Sequence, residues 1–258
     1  MQNLKVAIIQ SKIIWENPEL NFELFGKKIN SMKEEIDLII LPETFSTGFT
    51  MNVHKLSDIP DGKTAEFLRT LAKQKKSFIA GSAIIKDKNK YYNRLLISSS
   101  DGEIFHYDKR HLFRMGREHE VYSPGNKQLI LKIKKWRVAF FVCYDLRFPV
   151  WSRNNNSYDI SVFVANWPEI RQNHWNALLL ARAIENQSYV IGVNRIGIDG
   201  NGIISSGDSV VINPWGEYIL NAKRKDGIFT ADLSHKILTD YKKKFPAYKD
   251  TDKFSIKT

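Results

Sequence analysis

The stretch "WRVAFFVCYDLRFP", Trp136–Pro149, holds the single cysteine of the chain, Cys143. The run before it, Val138 to Val142, is apolar at every successive position and too short for a helix. Such a run reads as a strand buried on both faces. After Cys143 the chain turns charged at Asp145 and Arg147 and meets Pro149, so the strand ends at the thiol. "IDLIILPE", residues 36–43, repeats the pattern and ends at Glu43. Strands apolar on both faces need a layer on each side. With helix-connected and hairpin-connected strands around them, they point to an α/β fold, a four-layer α-β-β-α sandwich.

The rest of the chain supplies the other layers. "LKVAIIQ" (4–10) reads as a buried strand. Asn17 followed by Pro18 reads as a helix N-cap and first turn, with Phe22, Phe25, Ile29 and Met32 on the inward face. A second helix over about 64–76 turns Phe67, Leu68, Leu71 and Ala72 inward, and "SFIAGSAII" returns as strand. A hairpin region with an Asp101–Gly102 turn follows, then the strand pair "QLILKI" and "RVAFFVC". "YDISVFVAN" is strand, "NHWNALLLARAIENQ" helix and "SYVIGVNR" strand; "GDSVVINPWGEYIL" is a hairpin around Asn213–Gly216, and "DGIFTADL" is the last strand. No repeat, low-complexity tract or linker divides the 258 residues, so one domain over 1–258 is expected, with about 233–258 as a tail at an oligomer interface.

Composition narrows the function classes. One cysteine excludes an intrachain disulfide framework and fits a reducing cytoplasm. Lys5 interrupts any secretory pattern at the start, and Val138–Tyr144, the longest apolar run, is far too short to cross a bilayer, so no membrane partner is expected. The net charge of +11 is spread over "GKK", "KQKK", "KDKNK", "KIKK" and "KRK". That distribution reads as solvated faces with a general attraction for a small anionic substrate, not as a nucleic-acid platform, whose modular signatures are absent.

Three apolar strands end on a reactive side chain: "DLIILPETF" on Glu43, "EIFHYDKRHLF" on Lys109 and "VAFFVCYDLRFP" on Cys143. Taken singly, each has an ordinary structural explanation; a cysteine after such a run also fits a small core residue. Together they supply the parts of an acyl transfer: a carboxylate base, a cation for an oxyanion, and a thiol nucleophile. A papain-like Cys–His pair would have to use His174, in "QNHWN", and nothing around Cys143 resembles that signature. No metal site is expected, because His106 and His111 flank Lys109 without a third ligand of suitable spacing. No cofactor is expected either: "GIDGNG" (197–202) reads as a turn, and no phosphate-binding Gly-Lys-Ser/Thr loop is present.

On "LPETF", "YDKRHLF" and "VCYDLRFP", supported by "SPG" (123–125), "HWNALLLARAIENQSYV" and "SGDSVVINPWGE", the chain resembles the nitrilase, or carbon–nitrogen hydrolase, superfamily over nearly its whole length. The resemblance implies the sandwich fold and a homodimer or higher homo-oligomer, packed through helices near the cysteine and through C-terminal segments. It implies Glu43 as general base, Cys143 as the residue that forms a thioester, and Lys109 with the backbone N–H of Tyr144 as the oxyanion site. A second family glutamate, six residues before the proline of "SPG", falls on Glu118, with Glu120 as its rival.

Within the superfamily, "KRHLFRMGREHEVYSPG", "NWPEIRQNHW" and "KFPAYKDTDKF" resemble the ω-amidases, which hydrolyse 2-oxoglutaramate and 2-oxosuccinamate. Such a substrate carries a carboxylate at the far end from the amide. Arg171 is the first residue expected to hold it and Arg147 the second. Phe45 and Trp167 are expected to wall the pocket. Another amidase activity, such as hydrolysis of N-carbamoyl amides, and a non-catalytic binding protein on the same scaffold are the alternative readings.

Overall fold

The computed structural model describes residues 3–256; Met1, Gln2, Lys257 and Thr258, the ends of the expected domain and tail, lie outside the described residues. The first half contains β1 (Leu4–Gln10), α1 (Pro18–Ser31), β2 (Leu38–Ile40), α2 (Val53–Leu56), α3 (Lys63–Lys75), β3 (Phe78–Asp87), β4 (Lys90–Ser98), β5 (Ile104–Asp108) and α4 (Glu118–Val121). Then come β6 (Ile130–Ile133), β7 (Trp136–Val142), β8 (Ile160–Ala165), α5 (Gln172–Asn186), β9 (Tyr189–Asn194), β10 (Ile196–Ile198) and β11 (Ile204–Ser206). The chain closes with β12 (Val210–Ile212), β13 (Tyr218–Asn221), β14 (Gly227–Leu233) and α6 (His235–Lys244).

Two six-stranded sheets result, ordered β14-β1-β2-β3-β4-β5 and β13-β12-β9-β8-β7-β6. Each has three parallel strands at its centre, β1-β2-β3 and β7-β8-β9, and antiparallel strands at its flanks. The sheets pack face to face. Val6, Ile8, Leu38, Ile40, Leu95 and Ile97 of the first meet the Val138, Phe140 and Val162 face of the second in one buried core. On the opposite face of the first sheet, Ala7, Ile9, Ile39 and Ile79 lie against Phe25 and Ile29 of α1 and Leu68, Leu71 and Ala72 of α3. Outside the second sheet, α5 buries Trp175, Leu179 and Ala183. Gly192 of β9 leaves the room they need, since a Cβ there would meet Leu179 and Trp175 side-chain atoms at 2.5 and 2.9 Å. This is the four-layer sandwich expected from the sequence.

Local signals explain most boundaries. The Asn17 side chain accepts a hydrogen bond from Leu20 N at 3.1 Å, capping α1 ahead of Pro18. Residues 199–202 form the tip of the β10–β11 hairpin, where Asp199 Oδ1 accepts from Asn201 N and Ile203 N. The strand expected over 36–43 is shorter, covering only Leu38–Ile40. Leu41 N still donates to Ala80 O, but Pro42 has no N–H to continue the ladder and Thr44 turns to φ 44°. That early exit swings Glu43 off the sheet and towards the second one.

Candidate active site

Parallel strands deliver side chains at their carboxyl ends, and the site forms where β2, β7 and β8 end together. Cys143 follows β7 directly and takes φ 46°, a left-handed conformation unusual for a side chain with a Cβ. Holding it costs roughly 1–3 kcal/mol, so the surroundings must fix the turn. Buried Asp145 does this: its Oδ2 accepts from Val142 N at 3.0 Å and from the Tyr107 hydroxyl at 2.7 Å. Its Oδ1 accepts from His111 N at 2.9 Å and faces His111 Nδ1 at 2.8 Å. The His111 ring stacks on Phe148, centroids 3.8 Å apart, and Trp151 Nε1 donates to the Tyr107 oxygen at 2.9 Å. Burial and the Asp145 charge push the Tyr107 phenol well up, so it serves as a neutral donor. From α5, Arg182 Nη2 donates to Leu146 O at 2.6 Å. Tyr144 is the second residue of the short 3-10 turn Cys143–Arg147, where the first amides have no intrahelical acceptor.

Beside the thiol lies a buried charge cluster. Lys109, one residue past β5, donates from Nζ to Glu43 Oε1 at 2.9 Å and to Glu118 Oε1 at 3.0 Å, and Glu118 Oε2 is 2.9 Å away. All three side chains are sealed from solvent. Glu43 Oε2 accepts from Asn166 N at 2.7 Å, at the end of β8, and Asn166 Nδ2 donates to Glu43 O at 2.6 Å. Glu118 Oε2 accepts from Phe113 N at 2.6 Å. Glu120 is exposed and pairs with Arg117, so the glutamate in the cluster is Glu118.

The charges do not balance, since two carboxylates face one ammonium. Burial pulls the lysine pKa down, but Glu118 and Glu43 outweigh it and hold Lys109 protonated, well above its ordinary value. Burial first, then the Glu43 charge, raise the Glu118 pKa against the pull of Lys109. The Cys143 thiol is pushed well above its ordinary value, by burial first and by the charge of Glu43 and a hydrogen bond to it. A free-standing thiolate is therefore disfavoured here. The proton can leave only if a neighbour receives it, and Glu43 is in contact.

Glu43, Lys109 and Cys143 line a cavity of about 430 Å³ together with Tyr144, Arg147, Asn166, Trp167 and Arg171, whereas Glu118 lies behind Lys109 and outside the lining. Arg147 lies over the Trp167 ring, 5.1 Å from its centroid, with Nη2 2.7 Å from His174 Nδ1. Arg171 lies 5.4 Å from the Phe113 ring centroid, with Nη1 3.7 Å from Met115 Sδ. Among the described residues neither guanidinium has a carboxylate partner. Trp167 lines the cavity, and its Nε1 donates to Arg171 O at 2.8 Å.

Phe45 does not line it. Its ring is fully buried against Phe22, Phe25 and Phe67 under α1 and α3, over Gly81, where a Cβ would come within 2.8 Å. The turn at Thr44 sends successive side chains opposite ways, Glu43 into the site and Phe45 back into the core. His174 contacts Arg147 and not the thiol, and among the described residues no three His, Cys, Asp or Glu side chains form a metal-holding group. Sequence reasoning passed over Asp145, Asn166 and Asn93. Asp145 and Asn166 follow strand ends, which was the available signal.

A carbon-nitrogen hydrolase family model matches residues 5–243. The chain belongs to the carbon–nitrogen hydrolase family. Among curated relatives it is 43% identical over 257 residues to omega-amidase YafV of Escherichia coli K12, covering 99% of this chain and 100% of that one. It is 30% identical over 254 residues to the 2-oxoglutaramate amidase of Bacillus subtilis, covering 96% and 97%. Among solved structures it is similar to XC1258 from Xanthomonas campestris, a CN-hydrolase superfamily protein with an arsenic adduct in its active site. There the TM-score is 0.97, at 38% identity, over 100% of both chains. Within this family fold, the carboxyl ends of β2 and β7 meet at the Glu43–Lys109–Cys143 corner described above.

Proposed function

We propose that this protein is an ω-amidase, hydrolysing the terminal amide of short 2-oxo dicarboxylic acid amides such as 2-oxoglutaramate and 2-oxosuccinamate. The observation that carries the reading is one cavity holding both ends of that chemistry: a thiol against a carboxylate and an ammonium, and two guanidiniums without carboxylate partners among the described residues. The family membership and the likeness to named ω-amidases support it.

In this reading the Cys143 sulfur attacks the amide carbon as its proton passes to Glu43. The coupling follows from the net negative cluster, in which a thiolate beside an ionised Glu43 would add a second uncompensated charge. Negative charge moves to the amide oxygen, which accepts hydrogen bonds from Lys109 Nζ and from the N–H of Tyr144. Glu43 then gives its proton to the nitrogen, the C–N bond breaks, ammonia leaves and a thioester remains. Glu43 next takes a proton from water, whose oxygen attacks the thioester. Collapse of the second tetrahedral adduct breaks the C–S bond and returns the proton to sulfur. Glu118 orients Lys109, and through it the substrate amide. Arg171, with Arg147 beside it, holds the distal carboxylate, and Trp167 walls the chain between the two ends.

No helix of the described residues is long and apolar enough to cross a membrane. The single cysteine fits a reducing cytoplasm, where we place the enzyme. A homodimer would cover Trp215, Ile237, Phe245 and Phe254, exposed apolar residues at the C-terminal end. The test of the activity is ammonia release from 2-oxoglutaramate, with asparagine, an aliphatic nitrile and an N-carbamoyl amino acid in parallel. Release confined to the oxo-amide and lost in Cys143→Ala supports the assignment; release only from another compound rejects the substrate, and silence on all four rejects the enzyme.

A further inference from the structure

Asn93 lies on β4, opposite Ile84 of β3, on the inward face that Leu95 and Ile97 continue. The strand pattern calls for an apolar side chain there, and Asn93 is fully buried. Its Nδ2 donates to Glu43 Oε1 at 2.8 Å and to Glu118 Oε1 at 3.2 Å. Lys109 Nζ donates to the same two oxygens at 2.9 and 3.0 Å. The four groups close a ring in which each carboxylate oxygen sits between an ammonium and an amide. The main chain ties the ring further, because Lys109 N donates to Asn93 O at 3.0 Å.

The orientation of the amide is forced, since both partners can only accept and the nitrogen must face them. Asn93 Oδ1 then has no hydrogen-bond partner among the described residues. A buried carbonyl oxygen without a donor is unfavourable, and a leucine of similar size would avoid it. What the asparagine alone provides is two neutral N–H groups aimed at two carboxylates. Neutrality matters here. A second cation would fix the carboxylates too firmly, whereas an amide supports their ionised forms without adding charge.

We propose that Asn93 is a positioning residue of the reaction: it holds the Glu43 carboxylate aimed at Cys143, and keeps Glu118 and Lys109 in register beside it. The proposal rests on the reading of Glu43 as base to the thiol. The charged and titratable groups that face this ring are Lys109 from the end of β5, Glu118 from α4, Cys143 from the end of β7, and Tyr122 just past α4. Loss of the amide donors weakens the ionised carboxylates against their protonated forms, so a higher pH is needed to reach the working state. The apparent value belongs to the coupled cluster.

The experiment compares wild type with Asn93→Leu and the smaller Asn93→Ala, each measured in two ways across pH: kcat/KM for 2-oxoglutaramate, and the rate of Cys143 alkylation by iodoacetamide. Expected is a fall in kcat of about 10- to 100-fold with KM nearly unchanged, and an acid limb moved up by about one pH unit in both profiles. Alkylation needs no amide substrate. If wild type leaves ω-amides intact while the alkylation limb still moves, the substrate assignment fails and the role of Asn93 stands. If either folded variant loses thermal stability but keeps both wild-type pH profiles, Asn93 is a packing residue and the proposal is overturned.

Discussion

Replacing Lys109 by methionine tests the charge cluster most severely. The side chain is sealed from solvent, and its ammonium lies within 3.0 Å of Glu43 and Glu118 oxygens. Methionine fills similar volume and removes the charge together with its N–H donors. Breaking a buried pair from one side costs about 3–5 kcal/mol. For a chain of this size each kcal/mol lowers Tm by roughly 2–4 °C, so a loss of about 6–20 °C is expected near neutral pH. The pH dependence has a definite sign. Two carboxylates sharing only Asn93 cannot both ionise, so one takes a proton with a folded-state pKa above its unfolded value of about 4.3. Such a group contributes stability that is present below the unfolded value and is lost as pH rises through the folded one. Urea unfolding followed by tryptophan fluorescence should therefore show a much larger deficit near pH 8 than near pH 5. Lys109→Met combined with Glu118→Gln should recover most of the stability at pH 8 while activity stays at least about 100-fold down. A single variant as stable as wild type at pH 8, or one whose deficit is the same at both pH values, would refute the reasoning.

Cys143→Ala should remove ammonia release yet leave stability within about 1 kcal/mol by urea titration, because the turn is held by Asp145 and not by sulfur. Arg171→Ala should raise KM for oxo-acid amides about 10- to 100-fold with kcat close to wild type, and leave an amide lacking the distal carboxylate unaffected; steady-state kinetics on the two substrates decide it. Phe45→Ala should lower stability by about 3–5 kcal/mol in the same titration and leave KM unchanged, as befits a core ring among Phe22, Phe25 and Phe67.

The sandwich was legible because its central strands are apolar on both faces, a pattern with few other uses. Glu43, Lys109 and Cys143 were legible because each stands where such a strand, or the hairpin beside it, stops. Their convergence was not, since 66 and 34 residues separate them and only the packing of two sheets brings them together. Phe45 misled for a local reason: adjacency to Glu43 says nothing about direction when the intervening residue, Thr44, turns to φ 44°. Asn93 was invisible for the opposite reason. Inside "YYNRLLIS" it reads as a polar residue on a hairpin strand, and nothing in the local alternation reveals that its inward face meets two carboxylates from other elements. Asp145 reads as the charge that ends a strand, whereas it folds back to hold that strand's last amide.

The central claim is that hydrolysis passes through an acyl group on Cys143. It is tested most directly by partitioning with hydroxylamine, which competes with water for a thioester. At one hydroxylamine concentration, the ratio of hydroxamate to acid is measured for glutaramate, which lacks the keto group that hydroxylamine would convert to an oxime, and for its N-methyl ω-amide. A common acyl-enzyme predicts the same ratio from both leaving groups, with neither product formed by Cys143→Ala. A ratio that differs between the two amides, or turnover by Cys143→Ala, would contradict the account.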